Sequence, residues 1–331
     1  MSHAESLKSS FANQKSASLS TVENFLLDPT GSECQTTITI STEEFAKGEL
    51  SPDHLAQAVQ AINIHGFVIL ENAVLHKFLD ALHEKMLEDT RQLLVKPNWD
   101  AVGKVKGHLK QIPPPFAPYI FREIVSNPFA VQVTKQIFGE GTFNKFYSGN
   151  ANCPGSGTQP VHVDGIDTAL IVNFGLIDIT EHNGSIELWP GTHLIKNVGA
   201  RIESAALEAR RKIAPPIRAN TKKGSVLIRH SQLWHRGMPN YADSPRHMIA
   251  MMHYKYGTDL GEPLKFNKGC EAEFENHVLH PNIHFTDEPI DYLASHYSFV
   301  AACKDTFFRL FPDVFVFLSK LHRSATVKLN R

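Results

Sequence analysis

Gln159-Pro160-Val161-His162-Val163-Asp164-Gly165 and, about seventy residues on, Leu233-Trp234-His235-Arg236-Gly237 decide how the rest of the chain reads. His162, Asp164 and His235 supply two imidazoles and one carboxylate, the donor set that holds Fe(II) on one face and leaves the other positions open. In a β-strand, residues i and i+2 point to the same side, so a strand through 162–164 lets His162 and Asp164 grip one ion together. The third donor must then come from another strand laid alongside, which a closed or sandwiched sheet provides. The spacing alone is weak: with 18 His in 331 residues, a His-x-Asp is expected about once by chance. Its surroundings strengthen it. An apolar, β-branched run follows at once (Ala169-Leu170-Ile171-Val172-Asn173-Phe174), and His235 comes after another, Ser225-Val226-Leu227-Ile228-Arg229. Arg246 lies eleven positions beyond His235, at the predicted start of a third strand.

Further residues line up in the same order. Gly66-Phe67-Val68-Ile69-Leu70-Glu71-Asn72 stands near the start, and Gln159 precedes the His-x-Asp by three. Asn183-Gly184, Trp189-Pro190-Gly191-Thr192-His193 and Gly224 follow, before His235 and Arg246. With these residues the stretch from Gly66 to about Tyr254 resembles the phytanoyl-CoA hydroxylase-like (PhyH) family of Fe(II)/2-oxoglutarate-dependent oxygenases. It looks closest to the small-molecule branch of secondary metabolism. The resemblance implies a double-stranded β-helix (jelly roll, cupin-like). It also implies His162, Asp164 and His235 as metal ligands, with 2-oxoglutarate and O2 as cosubstrates.

By the same resemblance Gln159 offers its amide to a cosubstrate carboxylate, and His108 and Gln111 stand where relatives place polar contacts to cosubstrate or substrate. The far carboxylate of 2-oxoglutarate needs an anchor, and Arg246 suits it, because guanidinium meets carboxylate in a planar two-point fork. Ser244 and Asn240 in the preceding turn are candidates to position that Arg. Some relatives carry a hydroxyl shortly after the Asn-Gly turn that touches 2-oxoglutarate. Here Ser185-Ile186 follows Gly184 and breaks that pattern, leaving Thr168 and Thr192 as alternatives.

Composition sets outer bounds. Lys+Arg of 33 against Asp+Glu of 34 gives a net charge of -1, which argues against nucleic acid or an anionic membrane as partner. Cys34, Cys153, Cys270 and Cys303 are scattered without a C-x-x-C, so a disulfide framework or zinc cluster is not expected and a reducing cytoplasm is. No apolar run reaches the length of a membrane span. The N-terminus lacks a secretory h-region, and Lys328-Leu329-Asn330-Arg331 is not a peroxisomal ending.

Taken in order, residues 1–22 read as a disordered tail and 23–331 as one domain, mainly β with flanking helices. Strands are predicted at 36–40, 66–70, 143–147, 169–177, 185–189, 225–229 and 248–254. Helices are predicted after Ser51, over 74–95, 127–138 and 198–212. Residues 96–119 hold Gly103, Gly107 and Pro113-Pro114-Pro115 and read as a loop of the kind that borders a site. An aromatic helical face at 305–322, broken at Pro312, is expected to pack on the sheet or form a homodimer contact. Many short strands with turn-rich joints independently suggest a double-sheet jelly roll.

The expected activity is oxidation of an unactivated C–H bond of a small metabolite, by hydroxylation, desaturation or cyclisation, with release of succinate and CO2. Arg229, His230, Trp189, Phe146, Tyr147 and Arg236 surround the key strands and are the softer substrate-facing candidates. Their cationic members would suit an acidic or amino-acid-like molecule. Two competitors remain: a metal-dependent enzyme of another class, since the same three donors hold zinc, and a jelly-roll binding protein without chemistry. No H-E-x-x-H supports the first, and the presence of all three donors and the Arg weighs against the second. Hydrolase and nucleotide-binding readings lack a G-x-S-x-G, P-loop or G-x-G-x-x-G.

Overall fold

Ser51 starts the first long helix because its hydroxyl accepts from the His54 N–H and Pro52 fills the first helical position. Gly66 ends that helix at φ +85°, where an added Cβ would lie 2.6 Å from His193 Nδ1. The structure, a computed structural model, describes residues 34–95, 105–165, 169–195, 202–259, 261–275, 279 and 282–293. The expected tail at 1–22 and the aromatic face at 305–322 lie outside the described residues. The chain divides into two units, Met1–Ile290 and Asp291–Arg331. The sheets and the cavity belong to the first.

Three sheets carry that unit. The large one runs in the order β1 (Thr37–Thr39), β2 (Phe67–Glu71), β8 (Val226–His230), β5 (Ala169–Gly175), β10 (Arg246–Tyr254), β4 (Phe143–Asn152), β3 (His108–Lys110). All its pairings are antiparallel except β1–β2. The second sheet, β7 (Ile217–Ala219), β6 (Ile186–Leu188) and β9 (His235–Arg236), is antiparallel and short. A parallel pair, β11 (Leu264–Asn267) and β12 (Ile283–Thr286), forms the third sheet, and its Phe266 packs into the main apolar cluster. The helices are α1 (Thr42–Lys47), α2 (Pro52–His65), α3 (His76–Leu94), α4 (Arg122–Val125), α5 (Pro128–Phe138) and α6 (Ser204–Ile213). This is the jelly roll that the sequence led us to expect, with mixed sheets that do not close into a barrel.

The side-chain period of two assigns the faces of the large sheet. Val68 and Leu70, Leu170, Val172 and Phe174, Val226 and Ile228, and Ile249 and Met251 all join one apolar cluster. Leu79, Leu82 and Met86 of α3 and Phe129, Ala130 and Val133 of α5 pack into the same cluster. The opposite face meets the small sheet through an apolar cluster at one end. There Phe67, Ile69 and Leu227 pack on Ile186, Leu188 and Ala219. The rest of that face is left to a cavity.

Most predicted elements stand within a residue or two of where the sequence put them. Three differences matter. The strand at 143–147 continues to Asn152, because β10 pairs with it along nearly its whole length. Part of the loop predicted at 96–119 is β3, held to the far side of β4. Residues 162–164 do not form a strand of a ladder. His162 makes a single antiparallel bridge with His235, and Asp164 sits at a bend with its N–H donated to Ser231 O at 3.0 Å.

Candidate metal centre

That bridge assembles the three donors. His162 N donates to His235 O at 2.9 Å and His235 N to His162 O at 3.0 Å, so the two residues are locked opposite each other. Their rings lie 4.3 Å apart, centroid to centroid. Each ring is held the same way. His162 Nδ1 lies 2.9 Å from Pro160 O and His235 Nδ1 lies 2.9 Å from Leu233 O. A carbonyl can only accept, so each Nδ1 carries the proton and each Nε2 presents its lone pair. His162 Nε2 is 3.9 Å and His235 Nε2 3.4 Å from Asp164 Oδ1, and one ligand atom from each residue lies within 4.8 Å of the others. The donor set, tautomers and spacing fit a divalent transition metal bound on one face.

The charges agree. Burial pushes the His162 imidazole down to about 4, helped by the neighbouring His235. Burial would push the Asp164 carboxyl up. The Arg229 guanidinium outweighs that, and together with the two imidazoles it holds the group well below the usual carboxylate range. Arg229 Nη2 donates to Asp164 Oδ2 at 2.6 Å and Arg229 Nε to Asn173 Oδ1 at 3.2 Å. Asp164 therefore has one oxygen tied to Arg229 and the other facing the imidazoles. The sequence reading placed Arg229 only among the softer substrate candidates. The available signal was a charge ending an otherwise apolar strand, which in a sandwich must find a buried partner.

The donors open into a cavity of about 320 Å³. Its floor is the alternate-residue set that the core leaves free. β10 contributes Arg246, Met248, Ala250 and Met252, β4 contributes Phe146, Ser148 and Asn150, and β5 contributes Ile171 and Asn173. Arg246 is 1% exposed. Its Nη2 donates to Gly184 O at 2.7 Å and its Nη1 to Asn150 Oδ1 at 3.3 Å, while Nε is buried without a partner. Burial and the nearby Arg218 push its pKa down to about 10. No carboxylate pairs with it among the described residues. A buried, uncompensated guanidinium facing a cavity is a place for an anion.

The other predicted residues divide between the cavity and the scaffold around it. Gln159 lines the cavity and its Oε1 accepts from the Gly237 N–H at 2.8 Å, so its amide NH2 is what remains to offer. His108 lines the cavity with Nε2 2.6 Å from Gly157 O. Burial, with a smaller contribution from Arg246, lowers its pKa. It is therefore a neutral ring with its proton committed to Gly157. Gly237 lets these two meet: a Cβ there would lie 2.7 Å from both Gln159 Oε1 and His108 Cε1.

Gln111 is not at the site. It is fully buried and bonded to Thr90 Oγ1 and Met86 O, tying the end of β3 to α3. Thr192 accepts from Trp234 N and donates to Trp189 O, a tie within the second layer; Thr168 lies outside the described residues. Asn240 binds Asn152 O and Ser244 O and so fixes the turn leading to Arg246. Of the softer candidates, Phe146 and Arg229 line the cavity, Trp189 and Tyr147 belong to the core, and Arg236 pairs with Glu187.

Comparison with known proteins finds a matching family model and, among the similar solved structures, two distant likenesses. Residues 42–248 match the model of phytanoyl-CoA dioxygenase (PhyH). AviO1 from Streptomyces viridochromogenes Tue57 is 19% identical over 62% of this chain and 96% of its own, with a TM-score of 0.48. EvdMO1 is 18% identical over 61% of this chain and 50% of its own, also at 0.48. At that level neither likeness adds to what the residues say. The family match covers more than half of the chain and contains His162, Asp164, His235 and Arg246, and the chain belongs to the PhyH family.

Proposed function

We propose that the protein is an Fe(II)- and 2-oxoglutarate-dependent oxygenase acting on a small metabolite. The observation that carries this reading is the pair of sites in one cavity: a three-donor metal cluster and a buried Arg246 without a carboxylate partner among the described residues. Bound iron with 2-oxoglutarate and O2 would supply the oxidant for a C–H bond, with succinate and CO2 as the coproducts. The chain supplies the rest. His162, Asp164 and His235 hold the metal, and the Pro160 and Leu233 carbonyls keep both imidazoles in the metal-binding tautomer. Arg246 anchors the far carboxylate of 2-oxoglutarate, and the Gln159 amide donates to a cosubstrate oxygen. His108 shapes the wall beside it. Phe146, Ile171 and Met252 present an apolar surface that keeps water off the reacting carbon.

The cavity volume, about 320 Å³, is near the lower end for ligand sites, roughly 300–1,000 Å³. Shared with a cosubstrate, it suits the reacting end of a small molecule better than a bulky one. The deciding experiment is anaerobic. Fe(II) and then 2-oxoglutarate are added to the purified protein, and the visible metal-to-ligand charge-transfer band is followed. The band should form in the wild type and be absent in His162→Ala, Asp164→Ala and His235→Ala. In Arg246→Met iron should still bind while the 2-oxoglutarate needed for half the band rises at least about tenfold, the loss of one charge-assisted pair. Iron binding without a band would assign the site to other metal chemistry.

A further inference from the structure

The register of the large sheet sets the cavity floor in rows. Arg246 and His108 both align on Asn152. Met248 and Lys110 both align on Asn150, one step on. Two steps further, Met252 aligns with Phe146 and Ile171, and Ile171 with Arg229. The floor is therefore graded. Arg246 and Lys110 stand toward one end, and an apolar patch of Phe146, Ile171 and Met252 stands at the other, beside the Arg229 that holds Asp164.

Charge makes the gradient informative. Among the described residues the cavity lining contains the cations Lys110, Arg229 and Arg246 against a single carboxylate, Asp164. Arg229 is matched with that carboxylate. Arg246 would be matched by the far carboxylate of 2-oxoglutarate. With its far carboxylate on Arg246, the other carboxylate of 2-oxoglutarate would offset one of the two charges of a ferrous ion, so the loaded site keeps one positive charge at the metal and one at Lys110. Lys110 is the side-chain cation left over. It forms no ion pair among the described residues, and its Nζ lies 5.7 Å from the centre of the Phe146 ring. It thus reaches from its own row toward the apolar patch.

We propose that the substrate is an organic acid with an apolar body. Its carboxylate pairs with Lys110, and its body lies on Phe146, Ile171 and Met252, bringing a C–H bond beside the metal. The assignment rests on the oxygenase reading, because that reading gives Arg246 to the cosubstrate. Lys110 is then a specificity residue: it selects for charge, and Phe146 for an apolar neighbour.

The test uses matched acid and amide pairs that differ only in charge: 3-phenylpropanoic acid against its amide, and octanoic acid against octanamide. Each is titrated into the full-length protein loaded anaerobically with Fe(II) and 2-oxoglutarate. Binding is read from the shift of the visible band and, in parallel, by calorimetry. In at least one pair the acid should bind at least about tenfold more tightly than the amide. Lys110→Met should erase that ratio while leaving the amide affinity within about twofold, and Lys110→Arg should keep it. Phe146→Ala should weaken acid and amide alike. A ratio near one in both pairs, no binding of either pair, or a ratio that survives in Lys110→Met overturns the proposal. If the ratio vanishes in Arg246→Met and not in Lys110→Met, the acid belongs to Arg246, and both this proposal and the cosubstrate assignment fall. If the band never forms in the wild type, the oxygenase reading fails by itself, while the calorimetric ratio still decides the role of Lys110.

Discussion

Asp164 is a metal-ligand candidate whose second oxygen already has a cationic partner, and that has a cost when the partner is removed. In Arg229→Met the carboxylate would stay in place with its charge uncompensated. Breaking a buried pair costs about 3–5 kcal/mol; with the Asp164 side chain 27% exposed, about 2 kcal/mol is the expected loss for the metal-free protein. A divalent ion then neutralises the orphaned carboxylate, so the rise in Tm on adding Fe(II) anaerobically should be larger in Arg229→Met than in the wild type. Equal increments would show that Asp164 does not depend on Arg229. This pairing was the least legible part of the site. The three donors and Arg246 could be read from spacing and order, because each has a chemistry that its neighbours do not share. Arg229 could not be given its role, since sequence shows that a buried Arg needs a carboxylate but not which one. Gln111 misled for the converse reason. A polar residue in a Gly/Pro-rich stretch looks accessible, and only the position of α3 reveals that Thr90 has taken it.

Among the elements, β10 carries most of the consequences. Arg246, Met248, Ala250 and Met252 face the cavity, while His247, Ile249, Met251 and His253 are buried on the other side. His247 is fully buried, with Nε2 2.7 Å from Thr90 Oγ1 and its ring edge-on to that of His83. Burial, then His83 and Arg246, push its pKa down from 6.5 to about 3. Unfolded, the same imidazole takes a proton below about 6.5. The unfolded chain therefore binds the extra proton between these two values, and stability falls as pH is lowered from about 6.5 to about 3. The slope from this one group reaches about 1.4 kcal/mol per pH unit. His247→Gln should flatten that limb in denaturant titrations run at successive pH values, and an unchanged limb would place the proton uptake elsewhere. The strand itself was legible from its apolar run, Met248 to Met252. Elements of two or three residues, such as β9 and β3, were not, because so short a run has no period to read. The metal-bearing segment was overread as a strand: one bridge and one bend bring His162 and Asp164 together without a ladder.

Over the unit Met1–Ile290, the two layers meet through an apolar cluster at one end and through the donors at the other. His162 and Asp164 come from the connection entering β5, and His235 from the short sheet. A bound ion therefore ties together segments far apart in the chain. Binding to the folded form alone adds stability of about 2.7 kcal/mol at a free metal concentration one hundred times Kd. Anaerobic Fe(II) should thus raise Tm in the wild type and leave Asp164→Ala unmoved; a comparable rise in both would mean that the ion binds elsewhere. Fold class was legible at this scale because strand count, turn spacing and the family's ordered residues agree. The cavity was not, since its floor is the face of the sheet left over after the helices have claimed the other. That division of labour along β10 separates two kinds of evolutionary freedom. Exchanges at Met248, Ala250 and Met252 can retune which molecule is accepted without disturbing the packing behind them. Insertion or loss of one residue in the strand would exchange the two faces, sending the scaffold's side chains into the reaction chamber and the chamber's into the scaffold.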